Sequence, residues 1–309
     1  MNAPRIVFMG SPEFALPTLK ALAAAYPIVG VVTQPDQPAG RGRALTPPPV
    51  KQLALELGLP CIQPERLRQP EAMQMLQDWA PDLIIVAAFG QILRASVLDL
   101  PHLGCVNVHA SLLPRGRGAA PIQAAILSGD AETGVTIMRM DPGIDTGPML
   151  SQRAVPILPE DTGGSLSQRL ALLGADLLLE TLPAYLSGEL LPQPQPEDGA
   201  TYAPMLSKAD GALDFTRPAV DLARQVRAFQ PWPGAYTLWQ GQPLKILRAH
   251  AVEAPCSAPG QTAIHHNLPA FCTGAGLLLI DEIQPAGKKP MPGQAFLQGA
   301  RGWISEGRP

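Results

Sequence analysis

The amino-acid sequence predicts an α/β protein with a mostly parallel sheet and helices on both faces, followed by a small C-terminal β-barrel. Across residues 1–189, continuous apolar runs alternate with stretches of helical spacing. A proline-rich segment comes next, and the remaining chain contains several short β-type runs with little helix. Strands that are apolar throughout are typical of parallel sheets covered on both faces. Many short strands with little helix are typical of small barrels.

The N-terminal elements form a series in which each apolar run precedes a helical stretch. The first run, residues 5–9, ends at Gly10, Ser11 and Pro12, and the Leu/Ala-rich stretch after it has helical spacing. The predicted strands are residues 5–9, 28–33, 61–63, 83–88, 105–109, 135–140 and 148–157. The predicted helices are residues 14–25, 50–57, 71–80, 92–98, 122–127 and 165–186.

The strand at residues 105–109 carries Asn107 and His109 at its carboxyl end. Ligands of open α/β sheets bind outside the carboxyl ends of the strands, and residues two apart on a strand share a face. The scaffold is Rossmann-like, but its first turn reads GSPEFA rather than GxGxxG, and no GxxxxGK[ST] motif occurs. The sequence therefore predicts a ligand site here that does not bind a dinucleotide or ATP.

The C-terminal part begins after a segment rich in proline. Residues 190–203 read LLPQPQPEDGATYA, which is typical of a semi-rigid linker. A helical stretch at 219–229 and β-type runs at 244–248, 271–273 and 277–280 follow. We predict an N-terminal domain at residues 1–189, a linker at 190–208 and a C-terminal domain at 209–309.

Composition and charge restrict the class of protein. With 309 residues, 46% of them hydrophobic, and a net charge of −3, the chain has no overall basic balance that would indicate nucleic-acid binding. Residues 1–208, however, carry 14 Lys+Arg and 19 Asp+Glu (net −5), whereas residues 209–309 carry 9 and 7 (net +2). The longest apolar run, LIIVAAF at 83–89, is too short to span a bilayer, which predicts a cytoplasmic protein.

The four cysteines, Cys61, Cys105, Cys256 and Cys272, lack C-x-x-C spacing. This argues against a zinc ribbon or a redox pair and predicts reduced thiols. Cys105 lies near the predicted site, but its apolar setting favours a buried packing role over that of a nucleophile.

Asn107 and His109 have side chains that suit acyl transfer. A carbonyl oxygen gains negative charge when a nucleophile adds to its carbon, and donors already aimed at it stabilise that charge. Asp141 and Asp145 lie in the segment MDPGIDTGP, whose Pro and Gly residues are typical of a loop, so either carboxylate is able to orient the imidazole. An Asn-x-His pair alone is more typical of polar residues at a strand end.

The residues around this pair extend the pattern. NxHxSLLPxxRGxxP followed by DxGxDTG resembles the signature of enzymes that use 10-formyltetrahydrofolate as a formyl donor. The matching residues are Asn107, His109, Ser111, Leu112, Leu113, Pro114, Arg117, Gly118, Pro121, Asp141, Gly143, Asp145, Thr146 and Gly147. The arginine-containing loop at 33–49 and the segments QPWPGAY and QPAGKKPM resemble the methionyl-tRNA formyltransferase branch, whose C-terminal domain is an OB-like barrel.

The resemblance implies transfer of a formyl group from 10-formyltetrahydrofolate to the α-amine of methionine on initiator tRNA, by a monomer that needs no metal. Asn107 and His109 are expected to stabilise the oxyanion, and Asp145 is expected to orient His109 and help move the amine proton. The residues expected at the folate are Phe89, Gly90, Gln91, Ile92, Leu93, Ser111, Leu112, Leu113, Pro114 and Asp141. The residues expected at the tRNA are Arg41, Arg43, Lys288 and Lys289.

Two positions depart from the pattern of the family. Ser11 replaces a threonine, and Gly116 stands where a bulky aromatic residue is frequent, so contacts from that side chain are expected to be absent. The shared signature also leaves open a formyltransferase for an amino sugar nucleotide, a formyltetrahydrofolate hydrolase, or a non-catalytic RNA-binding relative. The loop arginines and the GKKPM tail favour the tRNA enzyme, and the Asn, His and Asp set favours catalysis.

Overall fold

The chain folds into two compact units in the computed structural model, which describes residues 3–39 and 44–303. The first unit contains the described residues up to Pro121, with Glu132–Pro156 and Ser167–Ala203. The second contains Ile122–Ala131, Ile157–Leu166 and the described residues from Pro204 onward. Arg41 and Arg43, predicted to contact tRNA, lie outside the described residues, and the predicted boundaries at 189 and 209 stay predictions.

The first unit is built on a mixed sheet of seven strands. The strands of this unit are β1 (Ile6–Gly10), β2 (Ile28–Val32), β3 (Gln37–Ala39), β4 (Ala44–Thr46), β5 (Cys61–Ile62), β6 (Leu83–Ala87), β7 (Cys105–His109), β8 (Arg117–Gly118), β9 (Glu132–Arg139), β10 (Met149–Pro156) and β11 (Tyr202–Ala203). Outside the large sheet, β3 pairs with β4, and β8 pairs with β11. The sheet order is β10-β9-β7-β6-β1-β2-β5. In this order, the five neighbouring strands β7, β6, β1, β2 and β5 pair in parallel. Strand β9 pairs antiparallel with β7 on one side and with β10 on the other.

Helices follow the parallel strands, as the alternation of apolar runs predicts. They are α1 (Leu16–Ala25), α2 (Pro49–Glu56), α3 (Pro70–Asp78), α4 (Ala95–Leu98), α5 (Pro121–Ser128) and α6 (Gly163–Leu186), with a 3-10 turn at Glu13–Ala15. Every residue of β1, β6 and β7 is buried, so both faces of the central sheet are covered. This mixed, mostly parallel sheet with helices confirms the Rossmann-like architecture of the N-terminal part.

The helix predicted at residues 92–98 is shorter in the structure. Arg94 has extended backbone angles (φ −83°, ψ 165°), and α4 begins only at Ala95. Leu93 is 4% exposed in a core cluster with Leu67 and Val97, whereas Ile92 is 79% exposed. This alternation of buried and exposed side chains is typical of extended chain, so long-range packing of Leu93 replaces the first turn of the predicted helix.

The proline-rich segment at 190–203 makes specific contacts within the first unit. The backbone of Gln193 exchanges two hydrogen bonds with Met149, and β11 pairs in parallel with β8. The segment therefore holds a defined position beside the loops that follow β7 and β9.

The second unit has an antiparallel sheet. Its strands are β12 (Ala235–Trp239), β13 (Gln242–Val252), β14 (Thr262–His265), β15 (Leu268–Cys272), β16 (Leu277–Pro285) and β17 (Met291–Pro292), and its helices are α7 (Ala219–Ala228) and α8 (Gly293–Gly299). The order is β12-β13-β16-β15-β14, with β17 on β16. Within residues 204–303, the strands at the two ends of this order, β12 and β14, are not paired with each other, so the sheet is not closed. The predicted OB-like barrel is therefore not confirmed. The sequence prediction also missed β14.

Two cysteines of the second unit form a disulfide. Cys256 and Cys272 lie 16 residues apart in the chain with their Cα atoms separated by 5.4 Å. The prediction of four reduced thiols was therefore wrong for this pair, because the spacing of cysteines in the sequence does not report that the fold brings these two positions together. Within the two described ranges, no helix has both the length and the apolarity required to cross a membrane.

Candidate active site

The predicted catalytic pair lies at the carboxyl end of β7, inside the sheet. β7 runs between β6 and β9, with Asn107 opposite Val86 and Met138, and His109 opposite Thr136. Asn107 is 8% exposed and His109 is 6% exposed. A hydrogen bond or charge contact in such a site is stronger than in water, because the surroundings have a low dielectric constant.

The imidazole of His109 contacts acceptors at both ring nitrogens. Its Nε2 lies 2.9 Å from the carbonyl oxygen of Gly116, and since a carbonyl only accepts, Nε2 carries a hydrogen. Its Nδ1 lies 3.7 Å from Oδ1 of Asp145. That separation is longer than a hydrogen bond and is a contact between charges when the ring is protonated. The protonated imidazole thus satisfies both neighbours, whereas the neutral ring satisfies one.

Only one of the two predicted carboxylates reaches the pair. Oδ2 of Asp145 accepts a hydrogen bond from the Gly118 amide (2.8 Å), and Oδ1 lies 3.5 Å from the Asn107 amide nitrogen. Asp145 has a φ of 53°, which is unfavourable for a residue with a Cβ and requires support from its surroundings. By contrast, Oδ1 of Asp141 accepts from the Gly143 amide (3.0 Å) and the Thr146 hydroxyl (2.7 Å), closing its own loop.

Gln195 supports the Asp145 loop and was missed by the sequence analysis. Its Nε2 donates to the carbonyl oxygens of Asp145 (2.7 Å) and Gly147 (2.8 Å), and its Oε1 accepts from Nε of Arg117 (3.0 Å). Nothing in the sequence singles out this residue, which lies among the prolines of the predicted linker. A second residue of that segment, Thr201, accepts from the Gly116 amide at 2.8 Å.

The turn at Ser111–Pro114 is held by buried hydrogen bonds. The Ser111 hydroxyl donates to the Arg115 carbonyl (2.7 Å), and the Thr136 hydroxyl donates to the Ser111 carbonyl (2.7 Å) and accepts from the Leu113 amide (3.1 Å). Ser111 and Leu113 are buried, whereas Leu112 and Pro114 are partly exposed. All four residues of this turn are among those predicted to contact folate, and Leu112 and Pro114 are the more accessible of them.

The carbonyl of Gly116 reaches His109 because of an unusual backbone conformation. Gly116 has a φ of +76°, and a Cβ built at this position would lie 3.0 Å from Cβ of Ser111. Both the conformation and the close approach favour glycine. The contact with His109 is made by the main-chain carbonyl of Gly116, so it does not require a side chain at this position.

The segment 89–93 follows β6 and has a mixed exposure. The side chains of Phe89 and Leu93 are buried in the core, and the Gln91 side chain bonds the loop after β5. The Phe89 carbonyl accepts from Nε2 of Gln34 (3.1 Å) and from the Ser11 hydroxyl (3.3 Å). Gly90 and Ile92 are the exposed members of the segment.

The remaining predicted positions have simple environments. Cys105 is 1% exposed, and burial raises the pKa of its thiol to about 12, which removes it as a nucleophile at neutral pH. Lys288 and Lys289 are exposed in the turn after β16 of the second unit. Within the described residues, no group of three or more His, Cys, Asp or Glu side chains is arranged to hold a metal ion.

Comparison with known proteins defines the class to which the chain belongs. Residues 4–182 match the formyl transferase family, and residues 205–301 match the formyl transferase C-terminal domain. The chain therefore belongs to the formyl transferase family, which confirms the resemblance seen in the motif.

Full-length relatives agree with this assignment. The chain is 52% identical over 301 residues to the methionyl-tRNA formyltransferase of Myxococcus xanthus (strain DK1622), covering 97% of this chain and 96% of that protein. It is 49% identical over 304 residues to the methionyl-tRNA formyltransferase of Geobacter sulfurreducens, covering 97% and 95%.

Solved structures share the fold at lower identity. A crystal structure of WlaRD, a sugar 3N-formyl transferase, superposes with a TM-score of 0.68 at 18% identity, covering 94% of this chain and 100% of that one. HypX from Aquifex aeolicus in complex with tetrahydrofolic acid gives a TM-score of 0.63 at 19% identity, covering 96% of this chain but 47% of HypX. This chain thus spans about half the length of HypX, and at these identities the likeness concerns the fold alone.

Proposed function

We propose that the chain transfers the formyl group of 10-formyltetrahydrofolate to the α-amine of methionyl initiator tRNA. The observation that carries the proposal is the meeting of Asn107, His109 and Asp145 at the carboxyl end of β7. This site belongs to a chain about half identical, over nearly its full length, to methionyl-tRNA formyltransferases.

The proposed reaction is an acyl transfer between two nitrogen atoms. The neutral amine of methionine forms a bond to the formyl carbon, and the carbonyl oxygen becomes an oxyanion. When the oxyanion collapses, the bond from the formyl carbon to N10 of the folate breaks. The attacking nitrogen loses one proton, and N10 gains one. No covalent bond to the protein is required.

Asn107 and His109 would stabilise the oxyanion of this intermediate. The Asn107 amide has two hydrogens, and its contact to Asp145 at 3.5 Å is long, so it is available to donate to the substrate. The positive charge of a protonated His109 would act on the same oxygen. Asp145 would hold the imidazole from the Nδ1 side and accept the amine proton, through water where the distance requires it.

The folate would lie along the same edge of the sheet. Because Phe89 and Leu93 are buried, their segment would offer backbone groups rather than these side chains to the pteridine, with Gly90 and Ile92 facing it. Leu112 and Pro114, which follow β7, would provide apolar contacts to the folate. Ser111, Leu113 and Asp141 would contribute indirectly, because their hydrogen bonds fix the turns in which they lie.

The tRNA would contact the positively charged positions. Lys288 and Lys289 are exposed, and with Arg41 and Arg43 they would bind phosphates, which position a nucleic acid without reading its sequence. We propose that residues 209–309 form an OB-like tRNA-binding domain joined by residues 190–208 to the catalytic domain. Because the acceptor is charged tRNA, we place the enzyme in the cytoplasm. We also propose that it acts as a monomer.

An assay of acceptor choice tests this function. Purified full-length protein is given 10-formyltetrahydrofolate and, in separate reactions, methionyl initiator tRNA, free methionine and an amino sugar nucleotide. Formylation of the charged tRNA alone supports the proposal. Formylation of the sugar nucleotide, or hydrolysis of the donor without transfer, would refute it.

Variants of the catalytic pair test the site itself. Asn107→Ala and His109→Ala are expected to lower turnover by about two to three orders of magnitude, the usual cost of losing one group that stabilises the oxyanion. His102→Ala is the matched control, since His102 is an exposed histidine of the same unit whose side chain contacts Asp82 at 3.5 Å. Near wild-type turnover in the two site variants would exclude Asn107 and His109 from the mechanism.

A further inference from the structure

Thr201 makes three hydrogen bonds to the turn that follows β7. Its Oγ1 accepts from the Gly116 amide at 2.8 Å, its carbonyl oxygen accepts from the Arg117 amide at 2.9 Å, and its own amide donates to the Pro114 carbonyl at 3.4 Å. This turn contains the Gly116 carbonyl that lies 2.9 Å from Nε2 of His109. One residue of the proline-rich segment thus holds a turn that lies 85 residues earlier in the chain.

These bonds fix both peptide groups that flank Gly116. The amide of Gly116 belongs to the peptide group before it, which Oγ1 of Thr201 holds. The carbonyl of Gly116 and the amide of Arg117 belong to the peptide group after it, which is planar and trans, so their bonds point in opposite directions. One side of that group therefore bonds to the Thr201 carbonyl, while the other side faces His109.

Gly116 needs this support because its own conformational preference is weak. Its φ of +76° lies in the left-handed region, and a glycine reaches many other conformations at little cost. A rotation about its backbone would turn the carbonyl away from the imidazole. Gly116 is also buried, so its amide would lose its partner if the Thr201 hydroxyl were absent. An unpaired buried amide is costly, and a backbone rotation that finds it a new partner is then favoured.

The other side chain near this carbonyl does not replace Thr201. Oγ of Ser111 lies 3.3 Å from the Gly116 carbonyl oxygen and 2.7 Å from the Arg115 carbonyl oxygen. A hydroxyl has one hydrogen, and the shorter distance assigns that hydrogen to Arg115. The orientation of the Gly116 carbonyl therefore depends on the bonds from the Thr201 side.

Thr201 is itself held in place by the strand that follows it. β11 pairs in parallel with β8, and Ala203 lies opposite Gly118. The two strands are in close contact, because a Cβ built at Gly118 would lie 2.5 Å from the Ala203 carbonyl oxygen. The Gly118 amide in turn donates to Oδ2 of Asp145 at 2.8 Å. The same strand pair therefore also supports the carboxylate of the site.

We propose that Thr201 is a positioning residue that holds the Gly116 carbonyl against Nε2 of His109, and thereby fixes the imidazole beside the substrate oxyanion. This role rests on the proposed function, in which a protonated His109 stabilises that oxyanion. The carbonyl at Nε2 and the Asp145 carboxylate at Nδ1 together define the plane of the ring. When one of the two contacts is lost, the ring is free to turn, which lowers kcat without weakening substrate binding.

Two substitutions at Thr201 separate its hydroxyl from its shape. Thr201→Val keeps the branched shape but removes the acceptor. It is expected to lower kcat for methionyl-tRNA formylation by about 5- to 30-fold, the range for leaving one buried amide unpaired. Thr201→Ser keeps the acceptor and is expected to have a kcat close to the wild-type value. KM for both substrates is expected to change little in either variant.

Thr216→Val is the matched control for the loss of a hydroxyl. Thr216 is an exposed threonine of the second unit whose hydroxyl donates to Oδ1 of Asp214 at 2.7 Å, and its replacement is expected to keep kcat. Unchanged kcat in Thr201→Val, or equal losses in Thr201→Val and Thr201→Ser, would overturn the proposal. A raised KM for methionyl-tRNA with unchanged kcat would overturn it as well, because Thr201 would then be a contact of the acceptor.

Nuclear magnetic resonance tests the contact independently of formyl transfer. In protein with isotope-labelled histidine, the ring signals report whether each imidazole N–H donates a hydrogen bond, and a His109→Gln variant assigns the His109 signal. The Nε2–H signal of His109 is expected in the wild type and in Thr201→Ser. It is expected to shift or disappear in Thr201→Val, while the signals of the other histidines stay unchanged.

The spectra distinguish failure of this role from failure of the proposed function. An unchanged His109 signal in Thr201→Val, or an equal change in every histidine, would exclude the positioning role of Thr201 whatever the acceptor assay shows. A change confined to His109 supports that role even if the wild-type protein formylates no tRNA, in which case only the proposed function is refuted.

Discussion

Replacing Gln195 is expected to disable the active site without touching a residue that contacts substrate. Gln195 makes three hydrogen bonds of 3.0 Å or less, two of them to the carbonyls of Asp145 and Gly147. Each such bond contributes about 0.5–1.5 kcal/mol net, and Asp145 needs that support because its φ of 53° costs roughly 1 kcal/mol or more. A loss of about 2 kcal/mol corresponds to a roughly thirtyfold change in a rate.

The measurement compares Gln195→Ala with Gln193→Ala. Gln193 is a glutamine of the same segment with an exposed side chain that donates to the nearby Leu191 carbonyl, so its replacement controls for composition and chain position. Gln195→Ala is expected to lower kcat for methionyl-tRNA formylation by about 10- to 100-fold. Gln193→Ala is expected to leave kcat near the wild-type value.

An isosteric variant separates the hydrogen bonds from packing. Gln195→Glu keeps the size and the contact with Arg117 but replaces the donor aimed at two carbonyl oxygens with a carboxylate oxygen. It is expected to be at least as impaired in kcat as Gln195→Ala, with melting temperatures recorded for all variants. Equal kcat values for the Gln195 and Gln193 variants would refute the view that this side chain positions Asp145.

Three further outcomes follow from the site and its surroundings. Asp145→Asn is expected to lower kcat by about a hundredfold or more, because an amide does not stabilise a protonated imidazole as a carboxylate does. Asp141→Asn keeps its Oδ1 acceptor and is expected to cause a smaller loss of kcat. Equal losses of kcat in the two variants would contradict this distinction. The double variant Lys288→Gln with Lys289→Gln is expected to bind tRNA more weakly, and the slope of log affinity against log salt concentration is expected to fall in magnitude by about one or two units. An unchanged slope in a salt series would exclude phosphate contacts by these lysines. Cys105 is expected to resist iodoacetamide in the folded protein, as read by mass spectrometry. Because burial raises its folded pKa above the ordinary 9.0 to about 12, its contribution to stability is lost as pH rises from 9 towards 12.

Most of the first unit followed from local patterns in the sequence. β1, β6 and β7 are apolar along their whole length, and a strand of that kind is stable only when both faces are covered. The two-residue spacing of Asn107 and His109 likewise predicts a shared face wherever the strand lies. These features depend on neighbours in the chain, and periodicity reports them directly.

The second unit was harder to predict for a physical reason. The pairing of its strands connects positions far apart in the chain, such as Leu244 with Pro285. Hydrophobic alternation indicates that such strands exist but does not determine which of them pair, so neither β14 nor the Cys256–Cys272 disulfide was predicted. The same limit applies to barrel closure, which depends on the register of every strand.

Within the active site, the sequence determined the chemical groups, and the tertiary structure decided their partners. The motif contains Asn107, His109 and two aspartates, and residue type alone defines which of their groups donate, accept or carry charge. The choice of Asp145 over Asp141 at His109 depends on a left-handed backbone at residue 145, held by a glutamine 50 residues away. The partner of the imidazole Nε2 is a main-chain carbonyl, and such a contact is set by the path of the backbone rather than by residue type.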